Sequence, residues 1–125
     1  MKLLLDTHVL IWWLEDPTQV AVHVREAVSR PENHVLVSAV SAWEIAIKRS
    51  IGKLNVPQDL EIVVPGSGFE WLPVTAKHAI ATESLPPIHR DPFDRLLVAQ
   101  AIVEEATIVT RDANMPKYAV PSILA

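Results

Sequence analysis

The stretch that decides the fold is Lys2-Leu3-Leu4-Leu5-Asp6-Thr7-His8. Three consecutive leucines do not alternate with polar residues, so a strand built from Met1 to Leu5 presents apolar side chains to both faces. Strands covered on both faces belong to parallel sheets, whose crossover helices supply the cover. The run stops at Asp6, and the pattern recurs near the other end of the chain. There Thr107-Ile108-Val109-Thr110 reads as a second such strand, followed at once by Arg111-Asp112.

Working outward, Thr7 is placed to cap a helix running through Val9 to Leu14, and Asp16-Pro17 interrupts it. A second helix reaches about Arg30, with Val20, Val24, Ala27 and Val28 on one face, and Pro31 ends it. His34 to Ser38 is another buried strand. Ser41 to Ile51 is helical, with Trp43, Ala46, Ile47 and Ile51 at the spacing of one apolar face and Gly52 as its stop. A short helix (Gln58 to Val64) leads to a weak strand from Phe69 to Val74, whose internal Pro73 marks a sheet edge or a strand end. Thr75 starts a helix to about Leu85, Asp91-Pro92 starts a longer one to about Glu105, and a final short strand is read at Tyr118-Ala119-Val120. Strands alternate with helices throughout. That pattern predicts an α/β fold, a three-layer sandwich around a mainly parallel sheet, formed as a single domain by residues 1–125.

Composition narrows the function. Half of the 125 residues are apolar, 21% are charged, the formal net charge is −4, and there is no cysteine. Disulfide scaffolds, thiolate zinc sites and broad basic nucleic-acid coats are thereby excluded. No stretch is long and apolar enough to span a bilayer and no signal peptide is apparent, so a soluble cytoplasmic protein is expected.

The acids carry the chemistry. Asp6 and Asp112 both fall at the C-terminal ends of predicted parallel strands, the edge at which α/β sheets bind ligands. Glu44 is read in the first turn of the helix that follows the second strand and Asp94 in the first turn of the helix that begins at Pro92, both opening from the same edge. Each has a structural alternative: Ser41-Ala42-Trp43-Glu44 has the form of a capping box, Asp91 is a good N-cap before Pro92, and Asp94 suits a helix dipole. Together, however, four carboxylates on one rim repel one another, raise the pKa values of their folded state, and call for a divalent cation. All-oxygen ligands select Mg²⁺ or Mn²⁺, and the natural chemistry of such an ion is phosphodiester hydrolysis. His8, His23, His34, His78 and His89 show no ligand spacing and are read as surface or core residues, although His8 and His89 flank the acids.

Four ordered blocks carry a resemblance. Leu3 to His8, Ser38 to Ile45, Asp91 to Ala101 and Val109 to Asp112 together are similar to the PIN-domain nucleases, and more narrowly to the VapC-type toxins of bacterial toxin–antitoxin pairs. The resemblance implies an acidic catalytic and metal-binding site of Asp6, Glu44, Asp94 and Asp112, with Asp91 as the helix cap beside it and Thr7, Ser38 and Thr110 as supporting polar residues. It also implies Mg²⁺- or Mn²⁺-dependent endonucleolytic cleavage of RNA, inhibition by a cognate antitoxin protein, and a homodimer. Arg95 and Arg111 adjoin the acids and are candidates for gripping RNA phosphate, with pairing to an acid as the alternative for Arg95. An RNA-processing PIN nuclease without a toxin role, and a catalytically silent PIN-like binding module, are the rival readings.

Overall fold

The computed structural model describes residues 1–125. In chain order its regular elements are β1 (Lys2–Leu5), α1 (Thr7–Glu15), α2 (Val22–Ser29), β2 (His34–Ser38), α3 (Ala39–Ser50), α4 (Leu60–Gly66), β3 (Glu70–Leu72), α5 (Ala76–Ala81), α6 (Pro92–Val103), β4 (Thr107–Thr110) and β5 (Ser122–Leu124). The five strands form one sheet in the order β3-β2-β1-β4-β5, and every neighbouring pair is parallel. β3, the strand followed by Pro73, lies at an edge, where a residue without an N–H interrupts no ladder.

The leucines of β1 divide between two cores. Leu3 and Leu5 pack with Val35, Val37 and Val109 against α1, α2 and α4, while Leu4 packs with Leu36 and Ile108 against Leu97, Val98 and Ala101 of α6. All three leucines are fully buried. Each contributes on the order of 1.5–3 kcal/mol of hydrophobic stabilisation, so the unalternated run is the consequence of a strand with no solvent face. α3 stands at the junction of the two cores, sending Val40 into one and Ile45 into the other.

Several boundaries differ from the sequence reading, each for a local reason. Asp6, not Thr7, caps α1, accepting the Val9 amide at 2.9 Å. α3 begins at Ala39, two residues early, because the Ser38 hydroxyl accepts the Val40 amide and serves as its cap. The stripe Trp43, Ala46, Ile47 and Ile51 that signals this helix is its exposed face. The buried face is Val40, Ser41, Glu44 and Ile45. At the far end, Lys53 donates to the Lys48 carbonyl and Gly52 to that of Arg49, closing a Schellman turn in which Gly52 takes φ 70°. The last strand is Ser122–Leu124 rather than Tyr118 to Val120, since Tyr118 turns inward and Pro121 offers its carbonyl to Ile108 at 2.9 Å.

α6 starts as the sequence indicates. Asp91 accepts the Phe93 amide at 2.8 Å and Pro92 occupies the first helical position, where its missing N–H costs nothing. Asp91→Ala is expected to lower stability by about 1 kcal/mol, while Asp91→Asn, which keeps the cap, changes it little; denaturant melts of the two variants beside wild type check this.

Candidate active site

Strand order builds the site. The sheet reverses its direction of growth at β1, whose neighbours are β2 and β4, and such a switch point opens a crevice beyond the strand C-termini. The ladder continues one residue past β1, with the Asp6 amide donating to the Val109 carbonyl at 2.9 Å. Asp6 is thus held beside the end of β4, although the two segments are more than a hundred residues apart in the chain.

The Asp6 carboxylate is almost fully buried and doubly held. One oxygen takes the Val9 amide and the other accepts the Thr110 hydroxyl at 2.5 Å. Burial raises its pKa, and these hydrogen bonds counter only part of that effect. Thr110 also accepts the Asp112 amide at 3.0 Å, so a single threonine ties the two strand-end acids together. Thr7 reaches across to Ser41, with 3.0 Å between the hydroxyl oxygens, and joins α1 to α3. Ser38 donates to Gln100 instead of to a carboxylate, which links β2 to α6 through the core.

Asp112 is organised by His89, one of the two histidines that the sequence singles out only as flanking the acids. His89 Nε2 lies 2.6 Å from Asp112 Oδ2, and its Nδ1 lies 2.8 Å from the Tyr118 hydroxyl. The two rings stack, inclined by only 8°, and the His89 backbone amide donates to the same Tyr118 oxygen at 3.1 Å. All these groups are satisfied when Tyr118 donates to Nδ1 and Nε2 donates to the carboxylate. Burial opposes the Asp112 charge, but the Asn114 amide and His89 outweigh it and hold this carboxyl below its usual range. The expectation that every acid of the cluster is raised therefore fails at Asp112. The available signal was only adjacency, since His89 lies two residues before Asp91.

Asp94, at the third position of α6, has no such partner. Partial burial, then Asp91, Glu44 and Asp112, push its pKa from 3.8 to about 6, against a smaller opposing effect of His89. Ligand atoms of His89, Asp94 and Asp112 lie within 4.8 Å of one another. Glu44 sits in the second turn of α3, so the capping box read from Ser41 to Glu44 does not form. It is buried and pairs with Lys48 at 2.9 Å, close enough to act on Asp94 but turned toward the lysine.

The cleft itself, about 390 Å³, is lined by Asp6, His8, Trp12, Asp94, Arg111 and Asp112. Of the two arginines singled out from sequence, only Arg111 is here. Arg95 pairs with no acid and does not line the cleft: its guanidinium donates to the carbonyls of Thr82, Leu85, Pro86 and His89, bracing the loop that delivers His89. The adjacent tryptophans diverge, Trp13 packing on Phe69 and Trp12 facing the cleft.

A parallel sheet whose switch point gathers acids from β1, β4 and α6 defines a class, and the family comparison names it: residues 3–121 match the PIN domain, and the chain belongs to that family. Within it, the chain is 31% identical to Ribonuclease VapC22 of Mycobacterium tuberculosis over 125 residues, covering 94% of this chain and 92% of that protein. The fold is shared with VapBC2 of Rickettsia felis, solved with a promoter DNA fragment, at a TM-score of 0.77 and 18% identity over 100% of this chain and 99% of that one. It is also shared with the DNA-bound VapBC of Salmonella typhimurium, at 0.68 and 21% identity over 98% and 97%.

The electrostatics give a pH signature. The folded protein binds the Asp94 proton more tightly than the unfolded chain does, so this contribution stabilises the fold at low pH and is lost as pH rises from about 4 to about 6. Asp94→Asn is expected to match wild type near pH 4 and to be more stable at pH 7 in EDTA, as read from thermal melts across that range.

Proposed function

We propose that the chain is a metal-dependent endoribonuclease acting as the toxin of a type II toxin–antitoxin pair, with RNA as substrate and a cognate antitoxin as inhibitor. The observation that carries the reading is the convergence of Asp6, Asp94 and Asp112 on one cleft at the switch point of a PIN sheet. The likeness to a VapC ribonuclease over most of the chain and to VapBC complexes supports the toxin role and the antitoxin partner.

The donor set fits a divalent cation. It is rich in carboxylate oxygen, and it leaves the charge of Asp94 destabilised by burial and by like charge, the second of which a bound ion relieves. Asp6, Asp94 and Asp112 would hold the ion, Glu44, paired with Lys48, would act on it only through its charge, and oxygen ligands with one nearby imidazole suit Mg²⁺ or Mn²⁺. Such an ion supplies a water of lowered pKa and neutralises charge on the phosphate. The protein's own contributions are positional. Thr110 and the α1 amide fix the Asp6 carboxylate, His89 and Tyr118 fix that of Asp112, and Asp91 sets the start of α6 and hence the direction of Asp94. No side chain in the cleft is placed as a covalent nucleophile. Arg111 lines the cleft beside the acids and is the group there suited to a phosphate oxygen.

We also place the protein in the cytoplasm as a homodimer. No helix is long and apolar enough to cross a membrane, and the exposed stripe along α3 and its C-cap, with Trp43 60% and Ile51 59% exposed, supports burial against a second copy.

Metal binding is expected to raise the melting temperature, by about 2.7 kcal/mol of stability at a hundredfold excess over Kd, and calorimetric titration measures it directly. His89→Ala should weaken that affinity roughly ten- to a hundredfold without unfolding the protein. Expression of the wild-type chain alone should arrest growth, and Asp6→Asn should relieve the arrest at equal soluble abundance. Equal arrest by both proteins would remove Asp6 from the catalytic site, and metal-independent melting with no titration heat would favour the silent binding module.

A further inference from the structure

The Arg111 guanidinium carbon lies 4.3 Å from the centroid of the Trp12 ring, on the wall of the acidic cleft. That position is unusual for an arginine that follows β4 directly and shares its cleft with three aspartates. The ion pairs of the chain are His34–Glu70, Lys48–Glu44, His78–Glu104 and His89–Asp112, and Arg111 makes none of them. Its face is taken by an indole and its N–H edge is left free. Trp12 is only partly buried, and exposed His8, with ring centroids 6.3 Å apart, extends the same surface.

We propose that Trp12 and Arg111 form a nucleotide subsite beside the acids, one that carries an unpaired base next to the scissile phosphate; this rests on the ribonuclease reading above. A strand whose reacting phosphate lies against Asp6, Asp94 and Asp112 brings a neighbouring base and phosphate to the adjacent wall. A guanidinium seated over an indole offers what both require, its outer cationic face for the base and a fork of N–H donors for the phosphate. It also offsets the repulsion between the acids and the RNA backbone at the point of entry. Stacking on such a platform tolerates any base, because every base has a π-face. It does not tolerate a paired one, whose faces are already covered by its neighbours in the duplex. The subsite therefore selects for an unpaired nucleotide and is indifferent to its identity. A protein partner with a carboxylate for Arg111 is the competing occupant, but it leaves the aromatic face beside the reacting position without a role.

The test is a cycle between protein and substrate. An RNA that the wild-type protein cleaves is remade with a single abasic nucleotide at each position flanking the cleaved bond in turn, and KM and kcat are measured in Mn²⁺ for wild type, Trp12→Leu and Arg111→Gln. At one flanking position the abasic RNA should raise KM about tenfold for wild type. Each variant should raise KM similarly on the intact RNA, and the abasic change should then add nothing further. Arg111→Gln lies at an exposed position, so it repeats the cycle without disturbing the core that Trp12 touches. Additive effects at every position overturn the subsite alone. Failure of the wild-type protein to cleave any RNA overturns the ribonuclease reading and the subsite with it. Variants that cleave like wild type but escape inhibition by the antitoxin assign the platform to a protein partner and overturn the proposal.

Discussion

The pairing of β1 with β4 is the constraint on which the rest depends. Those strands come from opposite ends of the chain, and their ladder runs on to the Asp6 amide, which donates to Val109. This single register sets Asp6 beside Thr110, and Thr110 in turn holds both Asp6 and the backbone of Asp112. Because side chains alternate along a strand, a slip of one residue would turn Leu4 and its neighbours to the wrong core. Thr110 would also swing away from the cleft. The apolar packing that stabilises the sheet therefore enforces the geometry of the acids as well.

Keeping several carboxylates on one rim is costly, and the protein meets the cost unevenly. Asp112 is stabilised as an anion by His89 and the Asn114 amide, and Asp6 by hydrogen bonds that only partly offset its burial. Asp94 is left exposed to the field of the others. The cleft thus has one well-held anion, one buried anion and one that takes up a proton near pH 6. Lys48 draws Glu44 away from the centre, so the fourth acid acts on the cluster through space.

The supports behind the cleft are polar links through otherwise apolar layers. Ser38 donates to Gln100, Gln100 contacts His78, and His78 meets Glu104 at 2.9 Å, so a chain of side chains crosses from β2 through α6 to α5. Gln100 and Ser38 are fully buried, and each is costly unless satisfied. Satisfied, they fix how α6 is rotated against the sheet and hence where Asp94 points. Arg95 does the same for the loop before α6, its donors spread over four carbonyls.

What the sequence by itself determined is whatever depends on local pattern. The leucine run of β1 specified a strand buried on both faces, Asp91-Pro92 specified a helix start, Pro73 an edge and Gly52 a helix stop, because each follows from backbone chemistry within a few residues. Asp6, Asp94 and Asp112 could likewise be placed on one rim from the sequence, since strand ends and helix starts of a parallel sheet share it, whereas Glu44 falls a turn further into its helix. Tertiary structure alone decided which of them meet in the cleft, and that Glu44 answers to Lys48. It also decided that Asp112 depends on His89 and Tyr118, and that Arg111 rests on Trp12 while Arg95 braces a loop. In these cases the partners lie from 4 to 106 residues apart in the chain, and hydrogen bonds and stacking act over a few ångströms in space. The same limit explains α3. Its apolar periodicity announced a helix correctly, yet only packing decided that Trp43, Ile47 and Ile51 face outward while Glu44 and Ser41 face in.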